Sequence, residues 1–314
     1  MAEFRLPIAP YSPMAETLEI EGVRLSSPDR VVYPGQGITK RQLAEYYLAV
    51  ADWILPRLKD RPLTLLRCPR GQEKECFVQR RAADSIPEEV ARVEIPDEEG
   101  GSSTHLAVNS LQGLLALIQI GVLELHTWGS RRDRLDRPDR MVIDLDPGPD
   151  VSFAEVVEAA LRVRTRLLDA GLTTFVMTTG GKGLHVVAPL RRTVGWSEVR
   201  DAARSVAAGL EAEDPDSFIA RAARAEREGR IYVDFLRNGW GASSVAPYST
   251  RARTGAPVAT PLTWRELEKG LEPAEFTVLT VPDRLRSLET DPWSEYRRGG
   301  RGLTLAVRSR LEAH

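Results

Sequence analysis

The sequence MVIDLDPG at residues 141–148 joins an apolar run to two carboxylates, Asp144 and Asp146, and then breaks at a Pro-Gly pair. In an extended strand, residues i and i+2 point to the same side, so both acids project together where the chain leaves a sheet. Two such carboxylates repel each other unless a positive charge lies between them. Mg²⁺ or Mn²⁺ held by carboxylates and substrate phosphates is the usual arrangement in phosphoryl chemistry. This stretch therefore predicts a strand that carries a metal site, although a pair of acids at a strand end can also cap a turn.

A second short apolar strand is predicted at residues 231–235, and it contains one acid, Asp234. A buried carboxylate is costly unless it is paired or bound to a cation. Two explanations fit the sequence: an ion pair with Arg227 or Arg230, or a shared site with the two acids of the first strand. In the second case, three carboxylates could hold two metals for in-line nucleotidyl transfer.

The segment TTGGKGLHV at residues 178–186 links two predicted strands through a loop with three glycines and Lys182. Backbone N–H groups of such a loop can bind phosphate oxygens. It is not a Walker A loop, because Gly183 follows the lysine where Ser or Thr is required, and because a strand rather than a helix comes next. A hairpin turn that uses glycine for positive φ explains the same residues. His185, on the following strand, is placed to hydrogen-bond a triphosphate.

His126 and Arg251 are polar residues whose roles the local sequence leaves open. His126 lies in ELHTW at residues 124–128, where a structural histidine beside an aromatic residue is the simpler explanation. Arg251 and Arg253 follow a polar loop, and they suit either a solvated surface or a phosphate clamp.

Composition sets broad limits on the class of protein. The 314 residues carry a net charge of −2 and could form one large or two small globular domains. No apolar run approaches the roughly 20 residues that span a bilayer, and no signal peptide is recognisable, so we expect a cytosolic location without membrane contact. Cys68 and Cys76 are too few for a disulfide scaffold, and we expect both to be reduced thiols. Residues 57–81 hold eight basic and three acidic residues, which suits a solvated face or a polyanion partner.

Hydrophobic periodicity and turn residues predict the organisation of the chain. We expect a flexible N-terminal extension at 1–16, a single domain at 17–290 and a C-terminal tail at 291–314. A hairpin is predicted at 17–25. The other predicted strands are 63–67, 104–108, 123–126, 140–146, 173–178, 184–188 and 231–235, and the predicted helices are 39–55, 110–120, 152–169, 197–210 and 218–228.

Four motifs together closely resemble the polymerase domain of bacterial DNA ligase D, which belongs to the archaeo-eukaryotic primase superfamily. They are VIDLDP at 142–147, TGGKGLH at 179–185, YVDF at 232–235 and VAPYS at 245–249. The likeness extends from about Ser27 through Leu267 and keeps the order and spacing of the motifs. It implies an α+β fold with a central, mostly antiparallel sheet that carries the acids, helices on its flanks, and a second small N-terminal α/β module.

The resemblance also implies a reaction and the residues that perform it. Nucleotides, preferentially ribonucleotides, would be added to a primer 3′-end with two divalent ions, Mn²⁺ or Mg²⁺. Thr179 stands where this family commonly has Ser, and it keeps the hydroxyl. The implied metal-binding catalytic residues are Asp144, Asp146 and Asp234; the implied nucleotide-binding residues are His126 at the sugar and Thr179, Lys182, His185 and Arg251 at the phosphates.

Members of this family also recognise the 5′-phosphate at a DNA gap or break. The matching residues here are Ser27, Arg30 and Lys40, for which a turn followed by a helix N-cap is the alternative explanation, and Phe77 matches an aromatic residue against the template. The implied partners are DNA ends or gaps, nucleoside triphosphates, Ku and a DNA ligase, in the bacterial cytosol or nucleoid.

No ligase or nuclease domain fits the remaining residues, so we expect either a stand-alone member or an excised domain. Gap filling in excision repair and catalytically silent DNA-end binding are the alternatives to a polymerase of non-homologous end joining.

Overall fold

The computed structural model describes residues 17–96 and 100–313, and the extension predicted at residues 1–16 lies outside this range. The strands are β1 (Thr17–Ile20), β2 (Val23–Ser26), β3 (Val31–Tyr33), β4 (Ile38–Thr39), β5 (Leu63–Arg67), β6 (Phe77–Gln79), β7 (Ala91–Pro96), β8 (Ser102–Ala107), β9 (Val122–Trp128), β10 (Arg140–Pro147), β11 (Phe175–Thr178), β12 (Leu184–Pro189), β13 (Phe218–Ile219), β14 (Ile231–Asp234), β15 (Ser243–Val245) and β16 (Pro261–Leu262). The α-helices are α1 (Lys40–Ala49), α2 (Ala51–Leu58), α3 (Leu111–Gln119), α4 (Phe153–Asp169), α5 (Trp196–Glu213), α6 (Trp264–Glu268), α7 (Val281–Ser287) and α8 (Leu305–Glu312).

Strand β10 lies inside a six-stranded sheet with the order β13-β14-β10-β12-β11-β16, which we call the catalytic sheet. Its neighbouring strands are antiparallel except for β13 and β14. The strand is buried from Arg140 through Leu145, as expected of a central strand covered on both faces, and only its last two residues reach the surface. These features confirm the predicted, mostly antiparallel sheet that carries the acids.

A second sheet, which we call the N-terminal sheet, has the order β15-β9-β5-β8-β7, with β6 beside β5. It corresponds to the predicted N-terminal α/β module. Its edge strand β15 comes from the second half of the chain and pairs with the end of β9. The two sheets are therefore parts of one interwoven unit.

Helices cover the sheets as their apolar patterns require. Helix α4 packs against β10 and β12, and α5 packs against β10 and β13. Ser152 caps α4 in a capping box with Glu155, and Val156, Ala160 and Val163 are buried on its inner face. On the other side, α3 packs against β9 and α1. The predicted flanking helices are thus confirmed.

Two predicted helices differ from the structure. The helix predicted at 39–55 is interrupted at the fully buried Val50, which separates α1 from α2. The helix predicted at 218–228 is wrong, because Phe218 and Ile219 form β13 and pair with β14, and a short 3₁₀ turn at Arg224–Glu226 follows. Pairing with a buried strand outweighs the helix propensity of this charged segment, which has no large apolar face to bury.

The prediction of two reduced thiols was also wrong, since Cys68 and Cys76 form a disulfide. After Arg67 the chain reverses so that β6 can pair with β5, and this reversal brings the two Cα atoms to 4.3 Å. The bond closes the loop that precedes Phe77.

The residues predicted as a C-terminal tail, from 291 onward, are packed against the domain. Trp293 is buried and donates a hydrogen bond from Nε1 to the carbonyl of Val176 at 3.0 Å. Helix α8 packs against α5, and its Leu311 is fully buried. Within residues 17–96 and 100–313, no helix is both long and apolar enough to span a bilayer.

Candidate active site

The strand register places Asp144 between two other predicted site residues. It is the cross-strand neighbour of Asp234 on β14 and of His185 on β12. Cross-strand neighbours point to the same face of a sheet, so the three side chains converge. Asp146 lies two residues further along β10, opposite Tyr232, on the same face.

Two arginines contact the three acids. The Nε atom of Arg237 lies 3.2 Å from Oδ2 of Asp144 and 3.1 Å from Oδ2 of Asp234. Arg227, stacked 3.9 Å above the ring of Tyr232, contacts Oδ2 of Asp146 at 3.0 Å. Neither contact follows from the sequence pattern, although Arg227 is one of the two ion-pair partners that the sequence suggested for Asp234.

The acids suit Mg²⁺ or Mn²⁺ in ligand chemistry, because both ions prefer carboxylate oxygens. The guanidinium of Arg237 contacts both Asp144 and Asp234, so the oxygens of these two acids can converge on one cation. In this structure, however, the acids contact arginines. Within the described ranges, no three acidic, His or Cys side chains are arranged to hold a metal ion. Arg237 and Arg227 must therefore release the carboxylates before these can bind one.

The electrostatics of the two neighbouring acids differ. Burial favours the neutral form of Asp144, but His185, with Nε2 at 3.4 Å, and Arg237 outweigh it and lower the pKa of Asp144 to about 2. For Asp234, burial dominates and, together with the charge of Asp144, raises the pKa despite Arg237. Of these two acids, Asp144 therefore stays ionised more firmly, as a cation ligand should.

The glycine-rich loop between β11 and β12 is a tight hairpin that approaches β10. A Cβ atom on Gly183 would lie 2.4 Å from the carbonyl oxygen of Leu145, so only glycine fits there. Gly180 has a positive φ of 66°. The Thr179 hydroxyl donates to the carbonyl of Gly183 at 3.1 Å, and Arg251 donates to the carbonyl of Thr179. The loop is therefore held against the catalytic sheet on one side and Arg251 on the other.

We expect Gly183→Ala to destabilise the protein by about 1–3 kcal/mol, the usual cost of overpacking, because the new methyl group would meet the β10 backbone. Gly181→Ala is the matched control, since its Cβ would meet the movable guanidinium of Arg253. Urea unfolding of both variants tests the difference. Equal stability of the two would contradict the close approach of the loop to β10.

Glu124 organises the other wall of the site, and it was not among the residues predicted to act there. Its Oε2 lies 2.7 Å from Nε2 of His126 and 3.1 Å from Nε of Arg251, and its Oε1 accepts the N–H of Ala252 at 2.9 Å. Burial opposes ionisation, but these partners lower the pKa of Glu124 to about 2. Its position two residues before His126, on the same strand face, was the available signal.

A cavity of about 160 Å³, which we call the catalytic cleft, is lined by six of the eight residues predicted to bind metal or nucleotide; Asp234 and Lys182 are not among them. Arg237 and Arg253 line it as well. Lys182 is exposed and lines a neighbouring cavity of about 410 Å³ together with Gly180 and Gly181. The predicted residues that line the catalytic cleft are His126, Asp144, Asp146, Thr179, His185 and Arg251.

The residues predicted to bind a 5′-phosphate lie together at the start of α1. Ser27 has a positive φ of 51° in the turn that leads to Arg30, whose Nη1 donates to the carbonyl of Pro69 at 2.8 Å. Lys40 is buried, and its Nζ donates to the carbonyl of Ser26 at 2.7 Å and to Gln119. These contacts are all to neutral oxygens, which leave the positive charges of Arg30 and Lys40 uncompensated. Arg30 is exposed and can contact an anion directly, whereas the buried Lys40, whose Nζ already has three acceptors, can act on it through its charge.

Phe77 lies on β6, apart from the catalytic cleft. Its side chain is 43% exposed, and the guanidinium of Arg67 lies 5.2 Å from its ring centre. An exposed ring beside a cation can stack on a nucleic-acid base.

The structure thus brings carboxylates on adjacent antiparallel strands together beside a glycine-rich hairpin and a histidine. Residues 39–293 match the family model described as LigD, primase-polymerase domain, and the chain belongs to this family.

Curated relatives and a solved structure agree with this membership. The chain is 38% identical over 291 residues to the multifunctional non-homologous end joining protein LigD of Pseudomonas aeruginosa, covering 92% of this chain and 34% of the relative. It is 32% identical over 267 residues to the bifunctional LigD of Bacillus subtilis, covering 84% and 42%. The polymerase domain of Mycobacterium tuberculosis ligase D, solved in complex with DNA, superposes with a TM-score of 0.81 at 32% identity and covers 88% of this chain and 99% of that one. The chain thus spans about a third of the length of the first of these relatives.

Proposed function

We propose that this chain is a DNA-repair nucleotidyltransferase that adds nucleotides to a primer 3′-end at gaps or broken ends. The observation that carries the proposal is the register of the catalytic sheet, which makes Asp144 the neighbour of both Asp234 and His185. A silent DNA-binding module has no use for ionised carboxylates beside a phosphate-sized loop. Membership of the LigD primase-polymerase family supports the same reaction class.

The residues divide into three groups by the part of the substrate they would contact. Asp144, Asp146 and Asp234 would hold two divalent ions, Mn²⁺ or Mg²⁺. Bound there, such ions lower the pKa of an attacking hydroxyl and neutralise charge on the leaving pyrophosphate. The phosphate-binding residues are Thr179, Lys182, His185 and Arg251, and the residue at the sugar is His126.

His126 is the basis for a proposed preference for ribonucleotides. Glu124 fixes its ring through the 2.7 Å contact at Nε2, so the imidazole is held in one orientation at the wall of the catalytic cleft. A ring fixed in this way can contact a ribose hydroxyl, and a deoxyribose lacks that partner.

We place this activity in non-homologous end joining, in the bacterial cytosol or nucleoid, with Ku and a DNA ligase as partners. The names of the relatives support this assignment. Gap filling in excision repair would use the same site and the same chemistry.

The decisive experiment is primer extension on a 5′-phosphorylated gap, with ribo- and deoxynucleotides compared under Mg²⁺ and Mn²⁺. We expect incorporation, faster with ribonucleotides and with Mn²⁺. Binding of the gap without any incorporation would favour the silent binding module and contradict the proposal. Cleavage of the DNA without added nucleotide would indicate a nuclease instead.

Recognition of the 5′-phosphate should depend on pH through Lys40. Burial and then the charge of Arg30 lower the pKa of Lys40 to about 8, so its positive charge is present below that pH and lost above it. The DNA phosphate stays ionised, because its second pKa is about 6. We therefore expect the preference for a 5′-phosphate over a 5′-hydroxyl to fall as the pH rises through about 8.

Competition binding with the two gap substrates measures this preference. In a Lys40→Met variant it should be reduced and independent of pH, because only Arg30, which stays charged, remains. A wild-type preference that stays constant across this range would exclude Lys40 from phosphate recognition.

A further inference from the structure

Trp240 is a large apolar side chain exposed beside the active site. About half of it, 48%, is accessible to solvent. It lies in the connection from β14 to β15, at residues 235–242, three positions after the Arg237 that contacts Asp144 and Asp234. Tryptophan is normally well buried in folded proteins. The exposed half of this indole is therefore a candidate contact surface for a ligand near the active site.

Trp240 belongs to a larger aromatic surface. Its ring centre lies 5.3 Å from that of Trp128 and 6.4 Å from that of Trp196, both in edge-to-face geometry. Trp128 in turn lies 5.8 Å from the ring of His105. Trp240, Trp128, His105, Ile95 and Pro96 line a cavity of about 430 Å³, which we call the aromatic groove.

The aromatic groove lies next to the catalytic cleft on one face of the N-terminal sheet, with His126 lining the cleft and Trp128 lining the groove. Trp128 follows His126 by two residues on β9, so both side chains point to the same face, about 7 Å apart along the strand. Strand β15 pairs with this part of β9, with Val245 opposite His126 and Ser243 opposite Trp128. A strand of nucleic acid that leaves the catalytic cleft in this direction meets Trp240 within one or two nucleotides.

Polar groups around the aromatic groove suit a nucleotide. Arg80 and Arg81 are exposed, and the backbone of Arg81 bridges to His105. Burial, followed by the charges of these two arginines, lowers the pKa of His105, with Glu94 acting in the opposite direction. His105 is 8% exposed, and its Nδ1 is buried without a hydrogen-bond partner among the described residues, so the ring contributes an aromatic face to the groove.

We propose that the aromatic groove holds an unpaired base of the template strand, stacked on the indole of Trp240. Aromatic faces beside basic side chains are the usual components of single-strand binding sites, where stacking tolerates any base and the cations bind the backbone. A protein partner would need a broader apolar surface than this small, arginine-flanked groove. The inference rests on the proposed function, because the template is a substrate of that reaction.

The test compares the affinities of the wild type and of Trp240 variants for two forms of the same DNA. The probe is a 5′-phosphorylated duplex with a short single-stranded gap, whose gap bases are either normal or replaced throughout by abasic residues. Fluorescence anisotropy is measured in EDTA without nucleotide, so that catalysis plays no part. We expect the wild type to bind the normal gap about 10-fold more tightly than the abasic gap, because each stacked base contributes on the order of tenfold.

In Trp240→Ala the advantage of the normal gap should shrink several-fold, to what other rings such as Phe77 supply, whereas Trp240→Phe, which keeps a stacking face, should retain most of it. Leu279→Ala, which truncates an apolar residue that is 58% exposed in the connection before α7, is the matched control and should behave as the wild type. Thermal unfolding of each variant shows that the fold is intact.

Equal preference for normal bases in Trp240→Ala and the wild type would overturn the proposal. An equal loss of affinity for both DNAs in Trp240→Ala would also overturn it. So would a wild type that binds the normal and the abasic gap equally well, and that result would point to a protein partner for the groove. Failure of the proposed function is distinguishable, because primer extension would then be absent while base-dependent binding in EDTA persists.

Discussion

Asp144→Asn should lose primer extension by about three orders of magnitude or more, because ligation of a divalent ion by an anionic carboxylate contributes several kcal/mol to a phosphoryl-transfer transition state. Asp144 contacts both His185 and Arg237 and has its pKa lowered to about 2, so the wild type presents a full negative charge at any physiological pH. Asparagine keeps the shape of the side chain and removes the charge. Gel-based extension on a 5′-phosphorylated gap with Mn²⁺ measures the loss.

DNA binding by Asp144→Asn should remain close to that of the wild type, since contacts to the DNA phosphates supply most of the affinity. Asp201→Asn, an exposed acid on α5, is the matched control and should extend primers normally. If Asp144→Asn extended primers as fast as the wild type, the carboxylate that the pairing of β10 with β14 places beside Asp234 would have no catalytic role.

Glu124→Gln should cost both stability and nucleotide affinity. Glu124 is 5% exposed, and removal of one partner from a buried charge pair costs about 3–5 kcal/mol, because the remaining charge is left without compensation. Here the remaining charges are those of Arg251, at 3.1 Å, and of His126 when protonated. Arg251 also holds the carbonyl of Thr179, so the glycine-rich loop should loosen as well.

The pH dependence of stability gives this prediction a second readout. The pKa of Glu124 is lowered from 4.5 to about 2 in the folded protein, so its contribution is complete above 4.5 and is lost as the pH falls toward 2. The wild type should lose this stabilisation on acidification, and Glu124→Gln should lack that part of the transition. Glu158→Gln, on the exposed face of α4, is the control. Urea unfolding measures the stability of the two variants, and nucleotide titration measures their affinity. Equal results for Glu124→Gln and Glu158→Gln would contradict the role of Glu124.

The sequence was informative where the signal is periodic or local. The two-residue period of a strand placed Asp144 and Asp146 on one face, and helical spacing with a Ser152 cap predicted α4. The family motifs added Asp234 and His126, which no local pattern assigns to a common site.

The features that sequence reasoning missed depend on partners far away in the chain. Arg237 contacts an acid 93 residues earlier, and Phe218 forms a strand only because β14 is available beside it. The disulfide of Cys68 requires the reversal of the chain after Arg67. Glu124 lies in a recognisable motif, but its role depends on Arg251, which the fold brings to it.

The connection from Asp234 to Ser243 ties the two sheets together at the active site. It leaves the catalytic sheet at the end of β14 and joins the N-terminal sheet as β15, within residues 235–242. Arg237 lies within this link and contacts both Asp144 and Asp234. Any displacement of the N-terminal sheet relative to the catalytic sheet would therefore pull on the segment whose guanidinium covers these two acids, which couples the position of one sheet to the charge state of the acids on the other.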